Sequence, residues 1–81
     1  MENAKEIELR LVNAVTNYDR KESKKKYHNH YYNHYALPQY LQGVNGVIEY
    51  LNNGMELRKA IKQCFIGRLA DACLKAVESQ A

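Results

Sequence analysis

Apolar residues recur at intervals of three and four almost from the start of this chain. Ala4, Ile7, Leu11, Val15 and Tyr18 form one stripe, widened by Val12 and Ala14. That spacing predicts an amphipathic helix over residues 3 to about 22. Glu2, Glu6 and Glu8 stand near its positive end, and Arg20 and Lys21 near its negative end, the charge order that a helix dipole favours. Lys24 to Lys26 either extend this helix or fray from it. A second run, Leu37, Leu41, Val44, Ile48 and Leu51, is flanked by Tyr40 and Val47. Proline is tolerated in a first turn and pushes the residue before it out of helical geometry. This helix is therefore expected to start at Pro38, with Leu37 outside it. Gly43 and Gly46 cost helix propensity, about 1 kcal/mol each. They also flatten one face, as close helix packing or an oligomer contact would require.

Asn52-Asn53-Gly54 closes the second helix, because glycine and asparagine take the left-handed cap conformation cheaply. Asn53 with Glu56 resembles a capping box for a third helix. That helix is expected to bury Leu57, Ala60, Ile61, Cys64 and Phe65. Gly67 interrupts the pattern. Leu69, Ala70, Cys73, Leu74 and Val77 resume it, with Asp71 and Lys75 as an i,i+4 pair. Helices three and four are either separate or one kinked helix. The fold class expected is all-α, a small bundle of three or four helices. Residues 1–81 form a single helical domain, with a basic and aromatic segment at 20–37.

That segment departs from the plain helical pattern. Arg20, Lys21, Lys24, Lys25 and Lys26 are opposed only by Glu22, and such a run attracts phosphate and releases counterions on binding. Tyr27, Tyr31, Tyr32 and Tyr35 follow and supply flat faces on which bases stack. His28, His30, His34, Asn29 and Asn33 supply hydrogen-bonding edges. Asn29-His30-Tyr31 returns as Asn33-His34-Tyr35. In a helix this spacing would align Tyr27, Tyr31 and Tyr35, and set His30 over His34. The competing interpretation is a solvated lysine face with tyrosine rings in a core or interface. A metal held by His30 and His34 would need a third ligand, such as Asp19 or Glu22, and no HExxH is present.

The net charge of +3 is mildly basic, which permits an anionic partner without demanding one. A chain of this size has a modest core, and homo-oligomerisation is an expected remedy. Cys64 and Cys73 sit among apolar residues and read as buried reduced thiols, not as a disulfide framework. With no apolar leader and no apolar run of spanning length, a soluble, cytoplasmic protein is expected, with no membrane partner. No phosphate-binding glycine loop, nucleophile elbow or carboxylate pair occurs. The expectation is a non-enzymatic protein without cofactor or catalytic residues.

From Tyr32 onward the chain resembles short helical proteins of phages and other mobile elements. Tyr32-Asn33-His34-Tyr35-Ala36-Leu37, Tyr40-Leu41, Phe65, Arg68-Leu69-Ala70-Asp71 and Leu74-Lys75-Ala76 carry the resemblance, over residues 32–76. Those relatives tend to have proline at the position of His34. The resemblance implies a phage-like origin in a host cell and, by analogy of class, interference with host defence.

The leading expectation is a module that binds nucleic acid or a nucleotide signal. Lys24, Lys25 and Lys26 would hold phosphate, Tyr27, Tyr31 and Tyr35 would stack, and His30, Asn33 and His34 would read polar edges. The alternative is an oligomeric module that inhibits a host protein, with tyrosines as interface anchors. A further alternative is a helix-turn-helix regulator. Residues 55 to 65 would then be the recognition helix, presenting Arg58, Lys59, Lys62 and Gln63.

Overall fold

A computed structural model describes residues 3–27 and 36–78, with the backbone path alone for 23–27 and 36. Four helices make up nearly all of it: α1 Ala4–Tyr27, α2 Ala36–Asn52, α3 Leu57–Cys64 and α4 Gly67–Glu78. No strand occurs among the described residues, so the fold is a small all-α bundle. Its helices form a ring of close approaches, α1 to α2, α2 to α3, α3 to α4, and α4 back to α1.

α1 begins where Asn3 Oδ1 accepts the Glu6 backbone N–H at 2.9 Å. This satisfies a donor that the helix itself leaves orphaned, a contribution of about 1 kcal/mol. The helix does not end near residue 22. Its backbone continues to Tyr27, so Lys24 to Lys26 extend it. Lysine is a good helix former, serine is tolerated, and the dipole favours cations in a last turn. α2 starts earlier than proline suggests, at Ala36, with Leu37 helical and Pro38 in the first turn. The first-turn N–H groups have no intrahelical acceptor, so the missing donor of Pro38 costs no bond there.

α2 ends in a Schellman motif. The Met55 N–H donates to the Tyr50 carbonyl at 2.9 Å and the Gly54 N–H to Leu51 at 3.0 Å, with Gly54 at φ +94°. Asn53 does not open a capping box. Its Nδ2 donates back to the Glu49 carbonyl at 3.0 Å, and the N-cap of α3 is Glu56, without a side-chain cap bond. Helices α3 and α4 are separate. Phe65 is extended (φ −133°, ψ 152°), while its N–H still donates to the Ile61 carbonyl.

The core takes Leu11 and Val15 from α1, Val44 and Val47 from α2, and Ala60 and Ile61 from α3. Phe65 joins them from the α3–α4 connection, and α4 buries all five expected residues, Leu69, Ala70, Cys73, Leu74 and Val77. Gly43 and Gly46 serve packing within the chain. A Cβ built on Gly43 would lie 2.7 Å from Phe65 Cε1, and one on Gly46 would lie 3.1 Å from Cys64 Sγ. The flattened face of α2 therefore receives the end of α3 and the residue after it. Arg58 of α3 and Glu78 of α4 form an ion pair on the surface.

The two glycine positions with distinct physics give a prediction. Gly43→Ala overpacks the buried Phe65 ring at two atoms closer than 3.0 Å. This puts its cost toward the upper part of the usual range of about 1–3 kcal/mol, above the gain of about 1 kcal/mol in helix propensity. Gly54→Ala meets no atom within 4 Å and destabilises through its positive φ alone, by about 1–2 kcal/mol. Urea unfolding should show both losses. Adding Phe65→Leu should reduce the penalty of Gly43→Ala and leave that of Gly54→Ala unchanged; equal additivity in both cycles would contradict the contact.

Candidate functional site: a lysine-flanked groove

α1 and α4 leave a groove of about 470 Å³ on the surface between them. From α1 it is lined by Ala14, Asn17, Tyr18 and Lys21, residues i, i+3, i+4 and i+7 on one helix face. From α4 come Ala72, Lys75 and Ala76, again one face. The three alanines and the Tyr18 ring are half-buried, whereas Asn17, Lys21 and Lys75 are exposed. Both charged groups lining the groove are thus cations, one from each helix, above an apolar floor.

Tyr18 is held from behind. Its ring meets that of Tyr40 on α2 edge to face, with centroids 6.1 Å apart and planes at 72°, a geometry favoured by the ring quadrupoles. Asp19, next along α1, is only 2% exposed. The Tyr40 hydroxyl is pushed above its ordinary pKa, first by burial and then by Tyr18, Asp19 and Glu22. The α1–α2 contact under the groove is therefore partly polar, which the apolar stripe of α1 alone did not reveal.

The sequence-predicted site stands mostly outside this description. His30, Tyr31, Asn33, His34 and Tyr35 lie outside the described residues. Lys24, Lys25, Lys26 and Tyr27 belong to the last turns of α1 by backbone, and their side chains lie outside it. The lysine run and the groove nevertheless share a helix, since Lys24 and Lys25 stand three and four residues beyond Lys21. The contribution of Lys75 was missed. In sequence it reads as one member of an i,i+4 pair, and only the packing of α4 on α1 brings it to the groove.

The other basic group, Arg58, Lys59, Lys62 and Gln63, is exposed on α3. Arg58 of this set is engaged by Glu78. Among the described residues no three His, Cys, Asp or Glu side chains come together to hold a metal ion. No described helix is long and apolar enough to cross a membrane. Comparison with known protein families, curated proteins and solved structures finds no match. The fold and site together define a class, a small all-α protein with a cation-flanked groove between its first and last helices.

Both cysteines are free, but they differ in exposure: Cys73 is buried and Cys64 only half-buried. Full burial was expected for both. Burial raises both thiols, Cys73 to about 11. At neutral pH an aromatic disulfide reagent should therefore modify Cys64 well before Cys73, and both together in denaturant. The folded state keeps the Cys73 proton to higher pH than the unfolded chain, whose thiol titrates near 9. This contribution to stability is intact below pH 9 and is lost as pH rises from 9 through 11. Urea unfolding across that window should show the fall, and Cys73→Ala should make it shallower.

Proposed function

We propose that this protein is a non-enzymatic binding module for phosphate-bearing ligands, a nucleic acid or a nucleotide signal. The observation that supports this most is the continuity of cations along one helix. Lys21 lines the groove, the backbone of α1 stays helical through Lys24, Lys25 and Lys26, and Lys75 adds a cation from α4. Phosphate is bound by such arrays because each contact releases condensed counterions. Tyr27, Tyr31 and Tyr35 would add stacking faces, and His30, Asn33 and His34 polar edges. The resemblance to phage proteins gives this activity a setting, the countering of host defence by engaging nucleic acid or sequestering a nucleotide.

The test is a salt titration of binding to a labelled single-stranded oligonucleotide. The triple variant Lys24→Ala, Lys25→Ala, Lys26→Ala should bind at least tenfold more weakly. Its log K against log salt slope should be reduced by about 2, since each lost contact on a single strand removes about 0.7. Unchanged affinity and slope would refute the assignment of these lysines.

A second reading, an oligomeric module that inhibits a host protein, draws on two exposed apolar side chains. Ile66, in the α3–α4 connection, is 86% exposed, and Leu9 on α1 is 62% exposed. If either anchors self-association, sedimentation should show an oligomer that Ile66→Asp or Leu9→Asp dissociates; a monomer at high concentration would remove the homo-oligomer. For a helix-turn-helix, α3 has eight residues, about 12 Å of helix. Its Arg58 is tied to α4, which weighs against a free recognition helix.

A further inference from the structure

We infer that the α1–α4 groove seats a single nucleoside phosphate unit, with the base on the alanine floor and the phosphates between Lys21 and Lys75. This rests on the phosphate-binding reading above and narrows it to a ligand class and a place. The floor is made of methyl groups from Ala14, Ala72 and Ala76, so no long side chain obstructs a flat ring. Tyr18 provides an aromatic wall, held in place by its edge-to-face contact with Tyr40. A volume of about 470 Å³ falls within the range of roughly 300–1,000 Å³ typical of small-ligand sites.

Charge and length select the occupant. No carboxylate lines the groove, and its two charged side chains are Lys21 and Lys75, so the favoured ligand is an anion with an apolar, flat portion. From Ala14 to Lys21 the lining spans seven residues of helix, roughly 10 Å at 1.5 Å per residue. A docked amphipathic helix presents anchors over i to i+7 and beyond, on a hydrophobic groove. Here α4 contributes apolar lining over about one turn only, Ala72 to Ala76, and the α1 lining, which begins at Ala14, ends on the cation Lys21. That length fits a base and its phosphates.

The experiment is calorimetric titration of the full chain with three probes at low salt: ATP, inorganic triphosphate and a dT15 oligonucleotide. ATP should bind at least tenfold more tightly than triphosphate, because only ATP carries a base. Ala76→Leu fills the floor without changing charge and should abolish this preference, leaving triphosphate binding within about twofold. Ala72→Leu serves the same purpose if circular dichroism shows that Ala76→Leu is unfolded. Lys75→Ala should weaken ATP and triphosphate alike. Equal binding of ATP and triphosphate, or ATP binding indifferent to leucine at either position, would overturn the nucleoside seat while the lysine reading stood. Binding of dT15 without ATP would do the same. Binding of none of the three probes would overturn both.

Discussion

The close approach of the Phe65 ring to the backbone of α2 at Gly43 is the contact on which the rest of the arrangement depends. A side chain at residue 43 would occupy the space of the ring. Because glycine leaves that space open, Phe65 turns inward, and the chain at this residue is extended where a continuous helix would place it otherwise. The break between α3 and α4 follows from this inward turn together with Gly67, whose φ of +60° suits glycine. α4 then leaves in a direction that carries Leu69, Ala70, Cys73, Leu74 and Val77 into the core and closes the ring of helices on α1.

The surface of that closure is the candidate site. Small residues at the α1–α4 seam, Ala14, Ala72 and Ala76, leave a trough where larger side chains would have filled the space. Lysines on both helices then face solvent at its margins. Lysine stems can lie along apolar surface with the ammonium in water, so such a seam costs little in stability and remains charged. The mixed contact beneath it, with Tyr18, Tyr40 and buried Asp19, is more directional than an apolar one and orients the aromatic wall of the groove.

Much of the fold was legible in the sequence because helical periodicity records burial directly. All five core residues of α4 and the stripe through Leu11 and Val15 follow from spacing. The glycine and asparagine stop after α2 was legible for the same local reason. Errors arose where two local signals compete. Pro38 disfavours helix at Leu37, yet the first turn tolerates it; Asn53 can cap the following helix, yet its amide bonds to the preceding one. The burial of Asp19 and the placing of Lys21 and Lys75 along one groove depend on which helices become neighbours, and periodicity within one helix carries no such information. The histidine and tyrosine repeat, the most distinctive part of the sequence, lies outside the described residues.

The most direct test of the account is a map of ligand contact by nuclear magnetic resonance. Uniformly ¹⁵N-labelled protein would be titrated with ATP, with backbone amide shifts followed residue by residue. The largest changes among residues 3–27 and 36–78 should fall on the two helix faces of the groove, at Asn17, Tyr18, Lys21, Ala72, Lys75 and Ala76. Changes centred instead on Arg58 to Gln63 of α3, with the α1–α4 seam unperturbed, would contradict it.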